Sequence, residues 1–151
     1  MREQSGRSLI EIIGVLAIGA IMMSATYGIY HSTNEKQKRL IASETLKDIA
    51  QKTKTLLEYS GYEPVSVDYL IESDVIKDNR APMGGDGWSV TSNFEGTEFS
   101  INLVDLSYSE CAYFAIKKFD WTTHISVNGY DSTDASYCMK SGENIISFFA
   151  Q

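Results

Sequence analysis

The apolar stretch from Leu9 to Tyr30 constrains this chain more than any other part of its sequence. Its 22 residues include a single charged side chain, Glu11, only two positions inside the stretch. About 20 apolar residues in a helix are enough to cross the hydrocarbon core of a bilayer. A carboxylate within such a helix costs about 2.5–3.5 kcal/mol on insertion scales, so Glu11 needs a partner or access to the headgroups. The sequence therefore predicts a membrane-spanning helix with one acidic residue that requires an explanation.

Charge is distributed unevenly along the rest of the chain. The segment from Glu35 to Lys54 has six basic and three acidic residues, whereas the chain from Glu58 onward has fifteen acidic and five basic residues. The acidic part is the larger, and its surface would repel phosphates, so we expect no nucleic-acid partner. The basic segment of one copy could instead attract the acidic region of another.

Helical periodicity continues beyond the apolar stretch. One face collects hydrophobic and small residues at helical spacing, namely Ala42, Leu46, Ile49, Ala50, Thr53, Leu56 and Leu57. No proline occurs before Pro64, and Gly61 is placed as a helix stop. The pattern predicts one helix from about Ser8 to Ser60, apolar on all sides in its first half and amphipathic in its second. A short coiled coil is the alternative for the second half.

The chain after Gly61 shows the pattern of a mixed α+β head. Alternating or β-branched segments predict four strands, at about 88–91, 99–103, 123–127 and 144–149. The strand from Phe99 is expected to be half-buried in an antiparallel sheet. Turn residues predict a loop over 79–87, a hairpin turn at Asn128-Gly129 and a short helical turn over 132–137.

Two short helices are predicted in the head from their N-terminal caps. Ser66 can cap a short helix that is formed with Val67, Tyr69, Leu70, Val75 and Ile76. Ser107 and Glu110 have the spacing of a capping box, which would open a helix through about Lys118.

Two cysteines, Cys111 and Cys138, lie in the polar C-terminal half. A disulfide between them would close a loop of about 27 residues and contribute about 3.5 kcal/mol by loop-entropy arithmetic. It would require an oxidising compartment, which fits a head exported across a membrane. Two unrelated free thiols are the alternative.

The sequence offers no constellation typical of an enzyme or a metal site. His31 and His124 are the only histidines, and no cluster of Cys, His or carboxylates surrounds either at ligand spacing. A Cys111–His124 nucleophile and base is less favoured than a disulfide and a surface histidine. Asp131 and Asp134 supply too few oxygens for calcium. We expect a non-enzymatic protein without a cofactor.

The N-terminal sequence Gly6-Arg7-Ser8-Leu9-Ile10-Glu11, followed by an apolar helix, resembles the start of type IV pilins and pseudopilins. The resemblance implies that a prepilin peptidase removes residues 1–6 by cleavage between Gly6 and Arg7, and that Arg7 is a candidate for N-methylation. It also implies that Glu11 neutralises the N-terminal amine of a neighbouring subunit, since two buried opposite charges are tolerable only when paired. The alternatives are an ordinary secretory signal and a Glu11 carboxylate that reaches the headgroups.

The order of motifs in the head is similar to that of type IVb, PilS-like pilins. The matching elements are Gly87-Trp88, Cys111, Ile125-Ser126-Val127-Asn128-Gly129, Cys138 and Asn144-Ile145-Ile146-Ser147-Phe148. The implied fold is α+β, with a long N-terminal helix packed on a C-terminal antiparallel sheet. The implied parts are a leader (1–6), a transmembrane half-helix (7–31), an amphipathic half-helix (32–60) and a globular head (61–151).

Ala20, Ser24 and Gly28 recur at every fourth position of the apolar stretch. This small-xxx-small spacing lets membrane helices approach each other closely. Ordinary membrane-helix composition is the alternative explanation.

Taken with the resemblance, the sequence predicts a structural subunit of a type IV pilus or a related filament. Its expected partners are other pilin subunits, the prepilin peptidase and a pilus or secretion assembly platform. We expect a single pass through the cytoplasmic membrane with an exported head, and later a place in an extracellular pilus or a periplasmic pseudopilus. Basic residues flank both ends of the span, so the positive-inside rule alone does not orient it. A minor pilin, a secretion pseudopilin and a monomeric membrane-anchored binding module are the alternatives.

Overall fold

The computed structural model describes residues 4–84 and 87–151, and the side chains of residues 4–9 and of His31 lie outside that description. The chain divides into two compact units, one ending at Lys38 and one spanning Arg39–Gln151. The described part of the first unit is helical, and the second unit combines helices with a five-stranded sheet. The predicted α+β fold class is confirmed.

Helix α1 spans Gln4–Leu57 and confirms the long helix expected from the sequence. Within the second unit its apolar stripe is buried in the core of the head, as predicted, except at Leu56, which is 42% exposed. Leu56 follows Ile49 by seven residues, which places it about 20° beyond Ile49 at the edge of the stripe, and it lies in the last turn of the helix. The helix stops where the amides of Ser60 and Gly61 both donate to the Leu57 carbonyl and Gly61 adopts a φ of +78°.

The two short helices begin at the caps that the sequence predicts. Helix α2 spans Val67–Glu72, and the Ser66 hydroxyl accepts a hydrogen bond from the Tyr69 amide. It ends before the predicted Val75 and Ile76, because Asp74 adopts a positive φ and the amides of Val75 and Ile76 turn back to the Leu70 carbonyl. Helix α3 spans Tyr108–Ile116 and begins with the complete capping box of Ser107 and Glu110. It ends before Lys118 because Lys117 already has an extended backbone.

The sheet has the order β1-β2-β5-β3-β4, and every neighbouring pair is antiparallel. The strands are Trp88–Ser92, Phe99–Leu106, His124–Val127, Tyr130–Asp131 and Asn144–Ala150, numbered β1 to β5 in chain order. The last strand therefore lies at the centre, where Phe148 pairs with Ile101 on one side and Ile125 on the other. The four predicted strands are confirmed.

Two details of the sheet go beyond the sequence-based expectation. Strand β2 is half-buried as predicted, with Phe99, Ile101 and Leu103 inaccessible, but Ser100 on its second face is also buried and its hydroxyl is 2.9 Å from that of Thr91. Strand β4, which the polar sequence around Asp131 did not predict, pairs with β3 across the Asn128-Gly129 turn. Asn128 and Gly129 both have positive φ, the conformation that a two-residue type I′ turn requires.

The loop predicted at 79–87 lies between α2 and β1, with residues 85 and 86 outside the described part. The predicted turn after Ser132 is a 3-10 turn at Ala135–Tyr137. Its N-terminal cap is Asp134, whose carboxylate accepts a hydrogen bond from the Ser136 amide at 2.8 Å.

A buried asparagine joins the end of the sheet to the segment that contains Cys138. The Asn144 side chain is fully buried, and its amide nitrogen donates to the carbonyls of Leu106 and Met139 at 3.0 Å each. Its amide oxygen accepts from the Met139 amide and from the side chain of Asn128. All four hydrogen-bonding positions of the Asn144 amide are thus used, which makes its burial tolerable.

We predict that Asn144→Ala destabilises the folded protein by about 2–4 kcal/mol, because it leaves several buried backbone groups without partners. Urea denaturation of the full chain in detergent, followed by tryptophan fluorescence, measures the change. Asn102→Ala is the matched control, since Asn102 is only partly buried and bonds just the hydroxyls of Ser89 and Thr91. Equal losses of stability in the two variants would contradict the role assigned to Asn144.

Candidate functional site

The apolar part of α1 is the first candidate site. Its large hydrophobic side chains between Ile10 and Tyr30 are 55–77% exposed. Contiguous apolar surface of this extent is rare on soluble monomers and marks a partner or a membrane. Within the described residues, α1 is the one helix long and apolar enough to span a membrane, judged by length and composition.

Glu11 lies among these exposed apolar side chains. Its own side chain is exposed, and it forms no ion pair with any residue whose side chain the structure describes.

The predicted processing position lies in the first turns of α1. The backbone of Gly6 and Arg7 is helical, while the side chain of Arg7 lies outside the described part. Cleavage between these residues and N-methylation of Arg7 stay predictions.

The predicted packing face of α1 is exposed at Ala20, Ser24 and Gly28. The Ser24 hydroxyl donates to the Ile21 carbonyl at 2.8 Å, so that this polar group is satisfied within its own helix. A side chain built at Gly28 would meet no atom within 4 Å. The face is thus smooth and open to a neighbouring helix.

The head contains the predicted disulfide between Cys111 of α3 and Cys138, and both residues are buried. The alternatives of two free thiols and of a Cys111 nucleophile are wrong, because no free cysteine is present among the described residues. The bond fixes the segment after the 3-10 turn against α3, and the Asn144 hydrogen bonds hold the same segment to the sheet.

The residues considered for metal binding lie apart from one another or have other partners. His124 is partly exposed, stacks on Phe149 at 4.0 Å and lies 3.8 Å from the carboxylate of Glu98. The bond from the Ser136 amide lowers the pKa of Asp134 below its ordinary value. In the described part of the chain, no group of three His, Cys, Asp or Glu side chains is placed to hold a metal ion.

Sequence reasoning missed a cluster of cations around Tyr113 on α3. Lys117 donates to the Tyr113 hydroxyl at 3.0 Å, and the guanidinium of Arg39 lies 5.7 Å from the ring centre. Burial acts to raise the pKa of Tyr113, but hydrogen bonds from Lys117 and Ser43 and the two positive charges outweigh it and lower the pKa. Arg39 and Ser43 are four residues apart on α1, whereas Tyr113 is on α3 and Lys117 directly follows the end of that helix. Only tertiary packing brings the two pairs together.

No known protein family has a model that matches this chain, and a search of curated proteins finds none with significant sequence similarity. A functional assignment therefore rests on the physical features of the molecule. The long apolar helix, the antiparallel sheet and the disulfide are together consistent with a pilin-like fold.

We predict that Gly28→Leu lowers self-association of the full chain in liposomes several-fold, because a large side chain separates helices that meet on small residues. Energy transfer between fluorescently labelled copies measures the association. Within the described residues, a Cβ atom at position 28 meets no other atom within 4 Å.

Gly19→Leu is the matched control, because position 19 is equally unobstructed. It lies five residues before Ser24, about 140° away around the helix. The packing face is misassigned if both variants associate as the wild type does, or if both lose association equally.

Proposed function

We propose that this protein is a structural subunit of a type IV pilus or a related filament, which assembles through the first half of α1. One observation carries the proposal. The apolar part of α1, with Glu11 unpaired among the described residues, is exposed, while the stripe on its second half belongs to the core of the head.

A membrane alone would satisfy the apolar side chains, but it leaves Glu11 unexplained. Close to the membrane surface the carboxylate could reach the headgroups, whereas deep in an assembly it needs a cation. Cleavage after Gly6 would create an ammonium at Arg7 on each copy. In a bundle of staggered copies, the pairing of that ammonium with Glu11 of a neighbour would set the register of the subunits.

Assembly in this form does not require a large loss of apolar burial. The helix leaves lipid and enters contact with other helices, so both states keep its hydrophobic surface away from water. The chain would stand first in the cytoplasmic membrane with its head exported, and then in an extracellular pilus or a periplasmic pseudopilus. A disulfide in the head suits either location. The prepilin peptidase and an assembly platform are the partners that this route requires.

We predict that the mature chain isolated from membranes begins at Arg7, which mass spectrometry of the intact protein and of its N-terminal peptide detects. Gly6→Leu should block processing and leave the longer chain. A wild-type chain that retains residues 1–6 would contradict the filament subunit and favour a monomeric membrane-anchored module.

We predict that Glu11→Ala leaves membrane insertion intact but removes the protein from the sheared surface fraction. Removal of the carboxylate makes insertion easier, whereas it deletes the counter-charge for the neighbouring N-terminus. Carbonate extraction measures insertion, and quantitative immunoblotting of sheared material measures assembly. Glu35→Ala, which removes an exposed helical pair with Lys38, is the control. Normal filaments in the Glu11→Ala strain would disprove the pairing role.

A further inference from the structure

The head presents opposite charges on the two flanks of α1. On one flank, basic side chains of α1 donate hydrogen bonds to the segment 109–121. Arg39 donates to the Ser109 hydroxyl, Lys47 to the Asp120 carboxylate and Lys54 to the Trp121 carbonyl. On the other, Lys52 and Leu56 line an open groove together with Asp74 and Val75. Lys54 is two residues from both Lys52 and Leu56, a rotation of about 200° around the helix axis. The two sets of neighbours therefore lie on opposite sides of the helix.

The first side, which we name the cationic flank, consists of Arg39, Lys54 and Lys117, with Lys118 exposed at the next position of the chain. None of these four has a carboxylate within ion-pair distance among the described residues, whereas the nearby Lys47 pairs with Asp120 at 2.8 Å. The Lys117 ammonium lies 5.2 Å and 5.3 Å from the ring centres of Tyr113 and Phe119. Such contacts hold a cation in place without neutralising it.

The opposite side, which we name the anionic flank, consists of Asp74 at the groove and of Asp68 and Glu72 on the preceding helix α2. All three side chains are exposed, and none forms an ion pair with a described residue. From residue 58 to residue 78 the chain has six acidic residues and one basic residue. Asp68 and Glu72 stand four positions apart on α2, where like charges repel and weaken a helix. A cationic partner would relieve that repulsion.

Each flank also carries exposed hydrophobic surface. Ile116, beside Lys117, is 66% exposed, and on the anionic flank Leu56 and Tyr59 are exposed as well. An apolar centre within a charged rim is the composition of a protein–protein interface.

We propose that the cationic flank of one copy binds the anionic flank of a second copy, with Ile116 covered by Leu56 and Tyr59 of that neighbour. The occupant is a second copy because both halves of the charge complementarity belong to the same chain. The contact is heterologous, because it joins two different surfaces of the chain. A pair of copies therefore leaves one flank free on each copy. Further copies extend the contacts into an open helical assembly or close them into a ring. The inference rests on the proposed filament and names the head surfaces that would meet in it.

Charge reversal in the full chain tests the contact. Lys117→Glu with Lys118→Glu should lower the sheared surface fraction about tenfold or more, because like charges across an interface strongly disfavour it. Adding Asp68→Lys and Glu72→Lys to the same chain should restore assembly, which a misfolded variant would not allow. Arg80→Glu with Lys140→Glu changes the net charge equally at exposed positions outside the cationic flank and should assemble normally. Failure of the combined variant to recover, or an equal loss in the control, overturns the proposal.

Carbodiimide cross-linking of intact cells supplies a readout that does not depend on filaments. The reagent joins lysine amines to carboxylates in contact, and peptides from the dimer band should link Lys117 or Lys118 to Asp68, Glu72 or Asp74. A dimer without these links, or links only to another protein, overturns the proposal. Linked dimers in a membrane without surface filaments would uphold the contact while the filament proposal fails. Filaments that tolerate the charge reversal would uphold the filament proposal and overturn the proposed contact between the flanks.

Discussion

The head of this protein depends on the burial of one stripe of α1 together with the central strands of its sheet. Ala42, Leu46, Ala50 and Leu57 are completely or almost completely inaccessible, and they share one hydrophobic core with Phe148 of β5. A five-stranded open sheet has one face that must be covered, and α1 shares that task with α3, whose Phe114 packs against Phe148. An amphipathic helix can cover a sheet only if its apolar residues keep helical spacing. The requirement explains why α1 changes from apolar on all sides to amphipathic where it enters the head.

The C-terminal part of the head is held by two interactions of different kinds. The Cys111–Cys138 disulfide restricts the unfolded chain, whereas Asn144 satisfies backbone groups that folding would otherwise bury without partners. Both act on the same segment, next to the point where β5 enters the centre of the sheet. β5 is the last strand and pairs with β2 and β3 at once, so this segment fixes the point where the central strand enters the sheet.

Assembly, as proposed, would use two parts of the chain with different physics. The apolar half of α1 would contribute helix packing and one buried charge pair, which stabilise the contact between subunits but specify little about the relative orientation of their heads. The charged flanks of the head would act over longer distances, guide the approach of a subunit and discriminate against wrong orientations. Salt would weaken the second contribution more than the first, because exposed charges are screened and apolar contacts are not.

The sequence by itself determined most of the secondary structure, because periodicity, caps and turn residues act locally. The long α1, the capping box of Ser107 and Glu110, and the Asn128-Gly129 turn all occur where their residues indicate. Only the tertiary structure decided that β5 is central, that Ser100 is buried, that Leu56 is left outside and that β4 extends the sheet. It also brought Arg39 to Tyr113 and Lys117, and so separated the cationic from the anionic flank. Those outcomes depend on which distant segments pack together, and such contacts leave no periodic signal in the chain.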